Sequence, residues 1–123
     1  MPTTRPGRGR SCPPRRGGAG YRLSKHALAR AVRRRALDWG GSGVRLDSIV
    51  PGQTDTPIYR GACEHPELGQ FVDQIPVPLA RTASPEEIAG VIGFTLSDAA
   101  AFIHGSIVCA DGGTDAAIRP DEF

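Results

Sequence analysis

Two residues suited to proton transfer lie four positions apart near the beginning of the chain. Tyr21 is one of two tyrosines, and Lys25 is the only lysine among fifteen basic residues, the others being arginine. A tyrosine hydroxyl is a weak base at neutral pH because its ordinary pKa is about 10, and a neighbouring ammonium favours the phenolate. Positions four apart share one face of a helix, so such a pair could act together. The same spacing also arises by chance, and the pair alone does not decide between the two interpretations.

A helix is predicted to carry this pair and to lead into a strand. Between residues 21 and 39 apolar side chains recur near helical spacing, with arginines mostly on the other side. The glycines of segment 40–43 would end this helix. Segment 44–50 is typical of a mostly buried strand, which Pro51 and Gly52 would end.

A less regular stretch separates this strand from a second helix. Residues 58–80 predict a short helix around 67–75 and otherwise resemble a mobile or substrate-shaping loop. Ser84, Pro85 and Glu87 then form a strong helix start. Serine accepts from the amides of the first turn, proline suits the first helical position, and glutamate completes a capping box. A second helix is therefore predicted from this point onward.

A second strand follows that helix. Residues 107–110 form a short apolar run typical of a buried strand, residues 111–113 form a turn, and residues 114–123 are predicted to be a tail. Two strands joined by a crossover helix run parallel. The order helix, strand, helix, strand therefore predicts an α/β fold with parallel strands.

The first residues differ in composition from the rest. Residues 1–20 carry five arginines, five glycines, four prolines and no acidic residue, whereas residues 21–123 carry ten basic and thirteen acidic residues. Such a segment buries too little apolar surface to offset its ordering entropy, so residues 1–19 are predicted to be disordered. Alternatives are an arginine- and glycine-rich nucleic-acid tail, which would lack the usual aromatic residues, and an artefact of an upstream start codon. Nucleic acid is therefore not an expected partner.

Composition and cysteine usage disfavour several other classes. The chain has 123 residues, enough for one domain at most, with 39% hydrophobic and 23% charged residues. No run approaches the roughly 18–20 apolar residues that span a bilayer, and no secretory signal follows the early arginines. The three cysteines are widely spaced, without a C-x-x-C pair. We therefore expect no membrane association, no metal site and a reducing, cytoplasmic location.

Four segments together are similar to the carboxyl-terminal half of the short-chain dehydrogenase/reductase family, and most of all to its hydroxysteroid dehydrogenases. They match in order over residues 20–113: Tyr21-Arg-Leu-Ser-Lys25, Val44 to Gly52 with Thr56-Pro57, the helix beginning Ser84-Pro-Glu-Glu-Ile-Ala, and Ser97 to Gly105 leading to Asp111-Gly-Gly113. The resemblance implies a partial Rossmann-type fold over residues 20–113, between the tails 1–19 and 114–123.

The resemblance also implies a role for individual residues. It implies that Tyr21 exchanges a proton with the substrate and that Lys25 favours the phenolate and holds the nicotinamide ribose. Backbone at Pro51 and Gly52 would approach the nicotinamide, Thr54 would meet its carboxamide, and Thr56 would lie near the pyrophosphate. The implied cofactor is NAD or NADP and the implied substrate is a small alcohol or carbonyl compound. The family also implies a homo-oligomer interface on helix 21–39.

Other parts of the family's pattern do not occur in these 123 residues. They include the glycine-rich turn that holds the pyrophosphate, the residue that distinguishes NAD from NADP, and the structural asparagine. Ser11 lies ten residues before Tyr21 in an arginine-rich stretch, and it is not assigned the catalytic serine's role. Two functions stay open. One is an NAD(P)-dependent oxidoreductase present as a truncated chain that does not bind cofactor alone. The other is a non-catalytic remnant that associates with intact relatives.

Overall fold

The computed structural model describes residues 17–122 as an α/β arrangement with two parallel strands. Ser48 of the first strand lies opposite Ile107 of the second, and Pro51 lies opposite Ala110. The elements in chain order are α1 Gly17–Gly41, β1 Ser48–Pro51, α2 Pro57–Glu64, α3 Pro66–Asp73, α4 Pro85–Leu96, a 3-10 turn Asp98–Ala100, β2 Ile107–Ala110 and α5 Thr114–Ile118. The predicted fold class is confirmed. The short helix predicted around 67–75 corresponds to α3, whereas α2 and α5 were not predicted, α5 lying in the segment 114–123 that was predicted to be a tail.

Helix α1 is longer than the sequence predicts. It begins at Gly17 instead of residue 21, so residues 17–19 of the predicted disordered segment are helical. Each glycine costs a helix about 1 kcal/mol relative to alanine, which is why the pattern places the start later; adding a turn to an existing helix avoids the cost of nucleation. At the other end the chain turns at Gly43, whose φ of +76° suits glycine. The remainder of the predicted tail, residues 1–16, lies outside the described residues.

Strand β1 is shorter than the predicted segment 44–50. The residues before it are bonded by side chains and loop backbone instead of by β2. Leu46 N donates to the His104 ring and Leu46 O accepts from Gly105 N. The Asp47 carboxylate accepts from Ser106 N at 2.9 Å. Ladder pairing with β2 therefore starts only at Ser48.

The stretch between β1 and α4 contains α3, close to the short helix predicted around 67–75, and also α2, where no helix was predicted. Thr56 caps α2 by accepting from Tyr59 N, and His65 caps α3 through its ring nitrogen; a proline follows each cap. The two helices pack so closely that a Cβ at Gly69 would overlap the carbonyl oxygen of Cys63. A helix of eight residues is marginal in isolation and spans only about two turns, so the pattern did not reveal α2.

Helix α4 begins as predicted, and its last turn is hydrogen-bonded to Arg45, three residues before β1. Both halves of the capping box between Ser84 and Glu87 are present. At the end of the helix the Arg45 guanidinium donates to the carbonyl oxygen of Thr95 at 2.7 Å, and to those of Ala100 and Ile103. Thr95 belongs to the last turn of α4, where carbonyl oxygens lack a hydrogen-bond donor in an isolated helix, and Ala100 ends the 3-10 turn that follows.

Few side chains are fully buried. Among the described residues, Val32 and Ala100 are the buried apolar ones, at 5% and 1% exposure, and Thr95 is the buried polar one. Sixteen large apolar side chains in this part of the chain are exposed, Phe102 completely. The described residues therefore present apolar surface on several sides instead of enclosing a large core. No helix among them is long and apolar enough to cross a membrane.

Candidate active site

The carboxyl-terminal edge of the sheet is built around Gly52. Its N–H donates to Ala110 O at 3.0 Å, which extends the strand pairing by one residue. A Cβ at this position would lie 2.6 Å from Asp111 Cα and 2.9 Å from Asp111 O. Glycine is therefore required here by the neighbouring backbone, whatever ligand the edge holds.

Thr54 leaves a backbone donor available at this edge. It forms a parallel bridge with Ala83, in which Asp55 N donates to Ala83 O and Ala83 N donates to Gln53 O. The Thr54 hydroxyl donates to Gly52 O at 3.0 Å. Within residues 17–122 the Thr54 N–H has no acceptor, so it could donate to a carbonyl oxygen of a ligand.

Thr56 occupies the amino terminus of α2. Its hydroxyl oxygen accepts from Tyr59 N at 3.2 Å, which leaves the hydroxyl proton available as a donor. A helix amino terminus carries partial positive charge, so an anionic group is favoured beside it. The site predicted near the pyrophosphate therefore has a suitable charge.

A polar cluster that the sequence did not reveal lies beside Thr54. The Tyr59 hydroxyl donates to Gln53 Oε1 at 3.0 Å, and Gln53 Nε2 donates to Val72 O at 3.2 Å, so one side chain joins α2 and α3 to the sheet edge. Burial, and then the neighbouring Cys63 thiol, raise the pKa of Tyr59. This second tyrosine therefore stays a neutral hydroxyl, suited to a structural hydrogen bond.

An ion pair flanks the same loop. Arg60 donates to the two carboxylate oxygens of Asp55 at 2.6 and 2.9 Å. These hydrogen bonds lower the pKa of Asp55 and raise that of Arg60. Because both side chains are exposed, the pair contributes little to stability, and it keeps the loop charges matched. Only the polar character of segment 53–57 could have indicated it.

The Tyr21–Lys25 pair lies together on α1. Lys25 Nζ lies 5.3 Å from the centroid of the Tyr21 ring, within the range of a cation–π contact. Tyr21 is 65% exposed. Proximity of the two side chains, expected from their spacing, is present in the structure.

The direction of α1 follows from its contacts. Its carboxyl-terminal turns lie beside the entry to β2, where Gly105 abuts Ala36. An earlier turn lies towards the carboxyl-terminal edge of the sheet, because His26, next to Lys25, lines a cavity of about 1260 Å³ together with Gln53 and Gly112 at that edge.

The structure does not join the two halves of the predicted site. Among the described residues no hydrogen bond or ion pair links Tyr21 or Lys25 to the segment 51–56. The cavity is lined by neighbours of the predicted residues, but not by Tyr21, Lys25, Gly52, Thr54 or Thr56. The part of the chain described here holds no group of three potential metal ligands, and Cys63 and Cys109 are free thiols.

The residues present fit one end of a dinucleotide. The free Thr54 N–H suits a carboxamide oxygen, and the Thr56 hydroxyl at a helix amino terminus suits a phosphate oxygen. The glycine-rich turn that would cradle the pyrophosphate from the other side is not in the 123-residue sequence.

Comparison with known proteins identifies the family. A family model described as enoyl-(acyl carrier protein) reductase matches residues 13–115. The 3-alpha-hydroxysteroid dehydrogenase/carbonyl reductase of Comamonas testosteroni is 44% identical over 107 residues, covering 87% of this chain and 42% of that protein. The meso-2,3-butanediol dehydrogenase of Serratia marcescens is 39% identical over 100 residues, covering 81% of this chain and 39% of that protein.

Solved structures agree. The crystal structure of the 3-alpha-hydroxysteroid dehydrogenase from Pseudomonas sp. B-0831, complexed with NADH, superposes with a TM-score of 0.77 at 40% identity, covering 81% of this chain and 39% of that one. A putative NAD(P)-dependent gluconate 5-dehydrogenase from Beutenbergia cavernae with bound NADP gives 0.70 at 34% identity, over 80% and 39% of the two chains. The chain thus spans about two fifths of the relatives it matches. It belongs to the short-chain dehydrogenase/reductase family, it is similar to the family's hydroxysteroid dehydrogenases as predicted, and it has a partial Rossmann-type fold.

Proposed function

We propose that this chain contributes the proton-transfer residues and the nicotinamide end of an NAD(P)-dependent oxidoreductase that interconverts small alcohols and carbonyl compounds. The supporting observation is the Tyr21–Lys25 pair, with the ammonium 5.3 Å from the ring centroid on the exposed end of α1. The relatives at 37–44% identity include several dehydrogenases of hydroxylated compounds.

The proposed chemistry divides between the cofactor and the chain. A bound nicotinamide supplies or accepts the hydride at the substrate carbon. The Tyr21 hydroxyl gives a proton to the substrate oxygen during carbonyl reduction and takes it back during alcohol oxidation. Lys25 stabilises the phenolate that remains after donation. An arginine would not be equivalent there, because its planar guanidinium is larger and differently hydrated.

The cofactor's nicotinamide end would be held by backbone and small side chains. We assign Lys25 to the ribose, the backbone of Pro51 and Gly52 to close approach, Thr54 to the carboxamide and Thr56 to the pyrophosphate. The available Thr54 N–H and the Thr56 hydroxyl support the last two assignments.

We further propose that the 123 residues alone do not retain NAD(P)(H). Binding of a dinucleotide needs a phosphate cradle, and the glycine-rich turn that forms it does not occur in this sequence. Isothermal calorimetry with NAD, NADH, NADP and NADPH should give no measurable heat of binding. Clear micromolar affinity for any of the four would contradict this.

Complementation tests the catalytic proposal. The part of the Comamonas testosteroni relative that this chain does not cover would be co-expressed with the chain, and the reduced nicotinamide followed by absorbance with a panel of carbonyl compounds. Tyr21→Phe should lower turnover about 10²- to 10⁴-fold, since a positioned proton donor contributes that much. Lys25→Arg should also lower turnover, whereas the matched swap Arg34→Lys on the same helix should not. Undiminished turnover with Tyr21→Phe would overturn the assignment.

A non-catalytic role is the second candidate. Leu23, Leu28 and Leu37 on α1 are 70%, 55% and 85% exposed, which favours a helix that packs against another chain. In that case the chain would associate with intact relatives, or with itself, through helix 21–39 without turnover. Light scattering of the chain with and without an intact relative distinguishes the two: a stable complex that stays inactive supports the remnant. We propose a reducing, cytoplasmic setting for either function, because the three cysteines are widely spaced and form no C-x-x-C pair.

A further inference from the structure

His104 joins α1 to Leu46, two residues before β1, through both of its ring nitrogens. Nδ1 lies 2.9 Å from Leu46 N, and Nε2 lies 2.7 Å from Ala36 O. A backbone N–H can only donate and a backbone carbonyl can only accept. Nδ1 must therefore be unprotonated and Nε2 must carry the proton, so the geometry admits one neutral tautomer.

The surroundings of His104 are tight enough to fix the position of α1. A Cβ at Gly40 would lie 3.1 Å from His104 Nε2, and a Cβ at Gly105 would lie 2.9 Å from Ala36 Cβ. Gly105 itself adopts φ of +69°, which favours glycine. The His104 ring thus packs against the backbone of Gly40, and the backbone of Gly105 packs against the Ala36 methyl group.

We call the two hydrogen bonds of His104, to Ala36 O and from Leu46 N, the joint; it is the main polar attachment of α1. Among the described residues, the bond from His104 to Ala36 O is the one side-chain hydrogen bond between α1 and a distant element. Val32, one turn earlier, is buried on the same face, and Lys25 precedes Val32 by seven residues, or two helical turns. Ala36, Val32 and Lys25 therefore lie on the same face of α1, so a bond that orients this face at Ala36 also orients Lys25.

We infer that His104 is a positioning residue that fixes the tilt and rotation of α1, and through them the location of Tyr21 and Lys25. The joint itself stands on the geometry alone, and its catalytic consequence rests on the proposed function. Tyr21 lies fifteen residues, about 22 Å, along the helix from Ala36. A tilt of about 5° at the joint would move Tyr21 by about 2 Å, and a misplacement of about 1 Å can cost a reaction about 100-fold.

Two conservative variants separate the two bonds. The amide nitrogen of glutamine can reach the position of Nε2 and donate to Ala36 O, whereas the amide oxygen of asparagine can take the place of Nδ1 and accept from Leu46 N. His104→Gln should preserve the hydrogen bond to Ala36 O of α1, and His104→Asn should preserve only the hydrogen bond from Leu46 N. His104→Phe should lose both. His65→Asn is the matched control, because that ring bonds only to the first amides of its own helix.

The experiment uses the full 123-residue chain. Nitrogen-15 NMR should show an unprotonated Nδ1 and a protonated Nε2 at neutral pH. Amide exchange in α1 should accelerate about 2- to 10-fold in the asparagine and phenylalanine variants, as expected for one lost hydrogen bond, and much less in the glutamine variant. A protonated Nδ1, or equal exchange in the glutamine and phenylalanine variants, would overturn the inference.

Turnover of the complemented complex adds a second measurement. His104→Asn should lower kcat with KM for the carbonyl substrate unchanged, and His104→Gln should restore most of kcat. Wild-type complex without turnover would remove the proposed function but leave the NMR and exchange results as a test of the joint. Turnover that is equal in all His104 variants would refute the positioning role.

Discussion

Replacing Gly52 by alanine places a methyl group where the structure has no room. The new Cβ would lie 2.6 Å from Asp111 Cα, about 1 Å inside the usual carbon–carbon contact of about 3.5–4.0 Å. The obstruction is backbone and not a flexible side chain, so the ends of β1 and β2 must separate. Moving them apart by about 1 Å would lengthen the 3.0 Å bond from Gly52 N to Ala110 O beyond hydrogen-bonding range.

The expected loss of stability combines two opposing effects. Overpacking costs about 1–3 kcal/mol, including the lost hydrogen bond. Alanine also restricts the unfolded chain, which returns about 0.4–1 kcal/mol, because the φ of Gly52 is not in the left-handed region. We expect a net loss of about 1–2 kcal/mol, or about a 5- to 30-fold fall in the ratio of folded to unfolded chain.

Urea unfolding followed by the fluorescence of Trp39, the single tryptophan, and by far-ultraviolet circular dichroism measures this change. Gly90→Ala is the matched control. Gly90 lies inside α4, and a Cβ there would meet nothing within 4 Å. That variant should raise the midpoint, by up to about 1 kcal/mol in stability. If Gly52→Ala shifted the midpoint in the same direction as Gly90→Ala, the steric explanation for Gly52 would be refuted.

Two further predictions concern the capping box and the Gln53 cluster. The Arg81 guanidinium and then the Ser84 amide lower the pKa of Glu87 from 4.5 to about 2. The stabilisation that the Glu87 carboxylate gives to the start of α4 is therefore fully present above pH 4.5 and is lost as the pH falls through about 2. NMR titration of the Ser84 amide should follow this transition, and Arg81→Gln should move its midpoint upward; an unmoved midpoint would contradict the assignment. Gln53→Ala removes the hydrogen bonds to Tyr59 and Val72, so amide exchange should accelerate in α2 and α3 but not in α4. Equal acceleration in all three helices would show that Gln53 does not act locally on α2 and α3.

Local sequence rules predicted the elements whose causes are local. The capping box at Ser84 needs only four residues, and both of its bonds are present. Strand β2 spans residues 107–110 as predicted, and the turn after it places Gly112 and Gly113 at φ of +67° and +92°. The contact between Tyr21 and Lys25 also follows from one helical turn.

Features that depend on distant residues could not be predicted in this way. Gly52 looks like a turn residue or a ligand-facing residue in sequence, but its requirement comes from Asp111, 59 positions later. His104 gives no signal of its own, because its partners Ala36 and Leu46 offer only backbone atoms. The roles assigned to Tyr21, Lys25, Pro51, Gly52, Thr54 and Thr56 likewise remain predictions, since they concern a ligand and a substrate.

The register of the two strands has a consequence for how the chain folds. Ser48 pairs with Ile107, so the paired residues are 59 positions apart (107 minus 48). Closing a loop of that length costs about 3.6 kcal/mol of entropy before a constant term, and only four residue pairs offset it. The capping box of α4 and the packing of α2 against α3 are contacts between residues close in sequence, so they do not require closure of the loop between β1 and β2. We therefore expect the helices to order early and the sheet to assemble last, so that the edge carrying Gly52 and Thr54 exists only after the slowest step of folding.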